Sequence, residues 1–140
     1  MLNNHGLSNL NVGKMLTEQG VNPSHQRISI LKFLLSAKTH LSVEDIYKGL
    51  HEDIPTLSKT TVYNTLSLLV AKKLISALTI NETEVIYDYE VGSHAHFQCT
   101  KCKKIFDIDV NKDLLNIKNI DDHEIYETQI NLKGICRNCL

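Results

Sequence analysis

Four cysteines stand in two pairs, Cys99-x-x-Cys102 and Cys136-x-x-Cys139, with 33 residues between the pairs. Each pair borders a strand-like run, so a tight turn there aims two thiolates at one ion. Four thiolates around a d¹⁰ ion form a closed tetrahedral structural site, and zinc is the metal this spacing predicts. Two other readings are inert buried thiol pairs and a redox C-x-x-C. The redox motif needs one such pair near a helix start in a βαβ setting, which this sequence lacks. A rubredoxin-like iron centre is the chemical rival, and a colourless purified protein would exclude it. The inferred role of zinc is a staple tying residues 136–139 back to 99–102.

The stretch HAHFQCTKC (94–102) adds two histidines to the first cysteine pair. His94 and His96 are i and i+2, so on an extended segment their imidazoles share a side and can share an ion. A plain surface pair has the same spacing. Three more residues offer ligand chemistry: His40 in THLS, Asp88 in EVIYDYE, and Asp107 five residues beyond Cys102. Periodicity does not bring them together. His5, His25, His51 and His123 carry no motif and read as solvated.

These residues need elements to position them. Ser24 is a cap candidate for a helix with Ile28, Leu31, Leu34 and Leu35 on one face. Ser42 with Asp45 three residues on approximates a capping box, with Val43, Ile46 and Leu50 inward and Ile54-Pro55 as the stop. A third helix spans about 58–73, with Val62, Leu66, Leu69 and Val70 on one stripe. The opposite stripe, Thr60, Tyr63, Asn64, Ser67 and Ala71, is polar and free of acids. Lys59, Lys72 and Lys73 flank it for a local charge of +3. LISALTI (74–80) and EVIYDYE (84–90), joined by Asn81-Glu82-Thr83, read as a hairpin. Three helices and a hairpin predict a winged helix-turn-helix, with 58–73 as the helix for a major groove.

Gly92-Ser93 reads as a hinge. Beyond it HFQCTKC and KIFDIDV alternate as strands, NKDLLNIKNI reads as a short helix, and EIYETQINLKGI as a further strand. The expected fold class is α+β: a winged-helix DNA-binding domain over 1–90 and a small α/β domain over 91–140. A core of the second size is marginal without a staple.

An apolar content of 42% and a charged content of 22% are those of an ordinary folded protein, and exclude disordered or collagen-like chains. No apolar run is long enough to span a bilayer, and the first residues lack the basic start and apolar core of a secretory signal. The expected location is cytoplasmic, where thiols stay reduced. Net charge is −1, with 8 Lys/Arg against 9 Asp/Glu over 1–90 and 7 against 7 over 91–140. Duplex binding therefore has to rest on local charge placement and the helix motif.

The segments SHQR (24–27), HLSVEDIY (40–47), TTVYNTLSLL (60–69), HAHFQCTKC (94–102), FDID (106–109) and GICRNC (134–139) resemble, in order and spacing, the ferric uptake regulator (Fur) family over nearly the whole chain. The resemblance implies a winged-helix DNA-binding domain, a short hinge and an α/β dimerisation domain. It implies structural zinc on Cys99, Cys102, Cys136 and Cys139, and a regulatory metal on His40, Asp88, His94, His96 and Asp107. Tyr63 falls where the family carries a base-contacting tyrosine. Thr60 and Asn64 join it at base edges, with Lys59 and Arg27 as phosphate contacts.

Two departures from the family pattern matter. Members with a further metal site carry a His-His-Asp-His run, whereas this chain has Ser93-His94-Ala95-His96, so no third site is expected. Asp88 and Asp107 stand where iron-uptake regulators typically carry glutamates, a pattern similar to the peroxide-sensing branch. Nitrogen and oxygen donors suit Fe(II) or Mn(II). The resemblance thus implies a non-enzymatic homodimeric repressor of palindromic operators, its Fe(II)- or Mn(II)-dependent binding relieved when peroxide oxidises His40 or His94. The alternative is an iron- or manganese-responsive repressor without peroxide sensing. From other classes, a metalloenzyme lacks any accompanying nucleophile or substrate motif. Salt-dependent duplex binding would argue against a zinc-stapled protein-interaction module.

Overall fold

A computed structural model describes residues 8–37, 39–80, 84–89 and 94–140. The chain forms two compact units, Met1–Val91 and Gly92–Leu140. The first contains helices α1 (Asn9–Glu18), α2 (His25–Ala37), α3 (Val43–Leu50) and α4 (Lys59–Ala71), then strands β1 (Ser76–Ile80) and β2 (Glu84–Asp88). This is a winged helix-turn-helix with one helix more than expected. Helix α1 escapes a periodicity reading because Val12 and Leu16 are one i, i+4 pair among asparagines. Its ends are nonetheless well specified. Ser8 Oγ accepts from the Asn11 N–H at 3.1 Å. At the other end Gly20 takes φ +74, while the Val21 and Gly20 N–H groups donate back to Leu16 and Thr17 carbonyls, a Schellman closure that favours glycine.

The other helices follow their sequence signals, except that α3 ends at Leu50, ahead of the expected Ile54-Pro55 stop. The Ser42 hydroxyl accepts from the Asp45 N–H at 3.1 Å, and the Ser42 N–H donates to Asp45 Oδ2 at 3.0 Å, completing the capping box of α3. Ser58 Oγ accepts from the Thr61 N–H at 3.0 Å and caps α4. Val62, Leu66 and Leu69 on α4 are fully buried, and Val70 is partly so. Thr60, Tyr63, Asn64, Ser67 and Ala71 are exposed, as their stripe predicts. Helix α4 stops at Ala71 rather than near 73, because Lys73 turns to φ 59 and the Leu74 N–H donates to the Leu69 carbonyl. A single apolar cluster joins α1 through α4 with Ile75 and Tyr87 of the wing.

Strands β1 and β2 pair antiparallel, with Ala77 opposite Tyr87; the connecting residues 81–83 lie outside the described set. Leu41, between α2 and α3, adds a bridge to this wing. Its N–H donates to the Tyr87 carbonyl at 3.0 Å, and the Tyr87 N–H donates back at 2.7 Å. That bridge joins residues far apart in sequence, and Asp88 follows it directly.

The second unit is built on β3 (His94–Cys99), flanked by β4 (Ile105–Asp107), antiparallel, and, further along the chain, β7 (Gln129–Gly134), parallel. Between them lie a one-turn helix α5 (Lys112–Leu115) and a minimal hairpin of β5 (Asn119–Ile120) and β6 (His123–Glu124). The expected helix over 111–120 thus shrinks to one turn, and the expected strand over 124–135 breaks into β6 and β7. Asp121 and Asp122 at φ 49 and 64 make the turn, since a two-residue hairpin of this type needs positive φ at both central positions. Aspartate tolerates that conformation less often than Asn-Gly, so the signal is weak in sequence.

The two units differ sharply in core. Sixteen apolar side chains are buried together in the first. Among the described residues of the second, the buried ones are Ala95, His96, Cys99 and Cys136.

Candidate metal centres

The thiol cluster is set by strand pairing. Cys99 ends β3 opposite Gly134 of β7, and the Thr100 N–H donates to the Gly134 carbonyl at 2.8 Å. This register carries Cys136, two residues beyond β7, to the first cysteine pair. The Cys102 and Cys136 N–H groups each lie 3.4 Å from Cys99 Sγ, and Lys103 at φ 66 closes the turn. All four Sγ atoms lie within 4.8 Å of one another. Cys102 and Cys136 Sγ are 3.8 Å apart. That is too long for a disulfide, and equals the sulfur–sulfur edge of about 3.8 Å in a tetrahedron with Zn–S near 2.3 Å.

Donation from the Cys102 and Cys136 amides brings the Cys99 thiol down to about 6, whereas hydrogen bonding with Cys136 and burial push Cys139 up to about 12. A first thiolate comes easily and a fourth only with a compensating cation. The donor set fits zinc.

The nitrogen and oxygen donors form one pair in each unit. In the first, the Leu41–Tyr87 bridge sets His40 beside Asp88, with His40 Nε2 3.1 Å from Asp88 Oδ2 and each side chain about one-tenth exposed. A carboxylate and an imidazole buried this far need mutual or metal partners. In the second unit, His96 and Asp107 are directly opposite in the β3–β4 register, so both side chains stand on one face. His96 Nε2 is 3.3 Å from Asp107 Oδ1; the histidine is buried and the aspartate is 61% exposed. His94 begins β3 two residues before His96, and its side chain lies outside the described residues. Two donors about 2.1 Å from an ion stand about 3.0 Å apart at a right angle and about 3.4 Å apart at a tetrahedral angle. Both pairs fall in that interval, so each fits adjacent positions around a divalent cation.

On α4, Tyr63 is 56% exposed, with Thr60 and Asn64 beside it. Asn64 and Thr61 border a polar groove shared with Asn22, Ser24 and Arg27 at the start of α2; Arg27 Nη1 donates to the Asn22 carbonyl at 3.1 Å. Lys59, expected as a free cation, is instead 2.7 Å from Glu44 Oε2 on α3. The +3 at this helix is therefore reduced. Sequence reasoning passes over Glu44, which sits 15 residues from Lys59 and acquires a partner only when α3 and α4 pack.

The sequence model of the Ferric uptake regulator family matches residues 18–135. The chain belongs to the ferric uptake regulator family. Among curated relatives of this Fur-family chain, the peroxide-responsive repressor PerR of Staphylococcus aureus (strain USA300) is 28% identical over 127 residues, covering 89% of this chain and 86% of the relative. The ferric uptake regulator of Pseudomonas aeruginosa, solved with manganese, matches at a TM-score of 0.75 and 23% identity, covering 89% of this chain and 97% of that one. PerR from Streptococcus pyogenes, solved for peroxide sensing and gene regulation, matches at a TM-score of 0.53 and 28% identity, covering 94% and 92%. These Fur-family relatives are repressors and regulators rather than enzymes. Among the described residues, no helix is long and apolar enough to cross a membrane.

Proposed function

We propose that this chain is a homodimeric, metal-controlled DNA-binding repressor that senses peroxide. The observation carrying the reading is a His–carboxylate pair in each unit, each at a spacing suited to adjacent ligands of a divalent cation. His40, Asp88, His94, His96 and Asp107 together hold Fe(II) or Mn(II), which nitrogen and oxygen donors favour. Cys99, Cys102, Cys136 and Cys139 hold structural zinc. Metal held by these residues shifts the population toward the DNA-competent form.

Residues 1–90 serve as the DNA-binding domain and 91–140 as the dimerisation domain. The second unit leaves Leu114, Ile117, Ile120, Leu132 and Ile135 exposed, and a second copy of the chain covers them. A two-fold dimer reads a palindrome, with α4 of each copy in a major groove. Tyr63, Thr60 and Asn64 meet base edges, while Arg27 and Lys59 meet phosphates. Selection from a random duplex library, with the zinc-loaded protein and added Mn(II), is expected to enrich a palindrome that is lost without Mn(II). Enrichment indifferent to metal would sink the reading. Tyr63→Ala is expected to weaken operator binding by roughly 1–3 kcal/mol while shifting stability by under about 0.5 kcal/mol, as read by anisotropy and thermal melting.

Two features favour the peroxide branch: Asp88 and Asp107 in place of glutamates, and the 28%-identical peroxide-responsive relative. When bound, Fe(II) supplies the electron that cleaves hydrogen peroxide. The chain presents His40 and His94 as the side chains that take up oxygen. Peroxide treatment of the Fe(II) form is expected to add the mass of one oxygen to a peptide holding His40 or His94, with release of DNA, and to leave the Mn(II) form unchanged. An Fe(II) form that stays unmodified on DNA leaves a plain iron- or manganese-responsive repressor using the same ligands.

A further inference from the structure

Lys59 is the first residue of α4, the position from which a cation reaches the phosphates flanking a major groove. In the structure it faces α3 instead. Its Nζ is 2.7 Å from Glu44 Oε2 and 5.4 Å from the centre of the Tyr47 ring. The other carboxylate oxygen of Glu44 is 3.6 Å from Lys48 Nζ, one helical turn along α3. Hydrogen bonding to Lys59 draws Glu44 below the ordinary carboxylate range, and the same bond raises Lys59. All three side chains are close to half exposed or more, so no buried group pins the pair and a partner can be exchanged.

A carboxylate and a phosphate present the same acceptor oxygens to an ammonium group. We propose that Glu44 is an internal competitor for the DNA phosphate, holding Lys59 until a phosphate displaces it and then passing to Lys48, so that it restrains duplex affinity. The inference rests on α4 being the DNA-contacting helix. With a chain of net charge −1, the choice of partner at this one lysine weighs on an already modest attraction. A purely structural role for the same pair, as a tie that aims α4 from α3, predicts the opposite sign: removing it would loosen DNA binding.

The test is a double-mutant cycle on the full chain loaded with zinc and Mn(II). Its probe is a labelled duplex bearing the palindrome that the wild type enriches. Glu44→Gln keeps the Ser42–Asp45 capping box and is expected to fold as the wild type by circular dichroism. It is expected to tighten binding about two- to fivefold, the range of one exposed ion pair. In a Lys59→Met background the same change is expected to give no gain. Weaker or unchanged binding by Glu44→Gln overturns the proposal, as does an equal gain in the Lys59→Met background, which would be general repulsion between Glu44 and DNA. A wild type that binds no duplex under any metal condition overturns the DNA reading itself, and this inference with it.

Discussion

Cys136→Ser is expected to lose the zinc and to unfold residues 92–140 while the first unit stays folded. The asymmetry follows from where apolar surface is buried. The first unit has a continuous core running from Val12 to Tyr87. Among its described residues the second buries Ala95, His96 and two of the four cysteines, and leaves its large aliphatic side chains at least partly exposed. A unit of that size rarely gains more than about 3–5 kcal/mol from its own core, whereas a structural zinc contributes on the order of 10–16 kcal/mol at neutral pH. The Cys136 amide, which donates to Cys99 Sγ, is retained in the serine, so the change removes a zinc ligand and leaves the backbone of the turn intact. Zinc content should fall below one per chain. Amide resonances of residues 92–140 should collapse into the random-coil range, with those of α1 to α4 still dispersed. The second unit staying dispersed without zinc would refute the staple.

The second large effect is expected from His96→Ala and Asp107→Ala, which should each abolish metal-dependent DNA binding without loss of zinc. Removing a ligand lowers metal affinity by at least about 100-fold, taking the larger effects of outer-shell changes as a floor. The two variants separate chemistry from packing. His96 is buried, so its truncation leaves a void beside β4, whereas Asp107 is mostly exposed and leaves none. Equal loss of Mn(II) binding in both, read by the solution Mn(II) electron resonance signal, assigns the effect to coordination. Asp107→Ala binding Mn(II) as the wild type does would remove that residue from the site.

Much of this architecture is legible in the residues. The Ser42–Asp45 box and the Val62, Leu66, Leu69 stripe announce α3 and α4 because local hydrogen bonding and helical period decide them. The C-x-x-C pairs announce a four-thiolate cluster because that chemistry tolerates few other spacings. What stays hidden depends on distant pairing. His40 meets Asp88 only through the Leu41–Tyr87 bridge, and His96 meets Asp107 only through the β3–β4 register. Helix α1 has too short an apolar face to show a period, and the Asp121-Asp122 turn lacks the glycine that usually marks such hairpins. Glu44 looks like an ordinary first-turn acid until its neighbour helix is in place.

The dependence of Cys99 on a strand so much further along the chain also orders events in time. On a ribosome adding about 5–20 residues per second, Asp88 emerges and can complete the pair with His40 while Cys136 is still 48 residues away. The interval is roughly 2–10 s at that rate. During it the pair in the first unit offers cellular metals one histidine and one carboxylate, and Cys99 and Cys102, once made, stand as a thiol pair without its mates. Neither set retains an ion tightly. The four-thiolate cluster thus cannot close before Cys139 is made, 51 residues after Asp88.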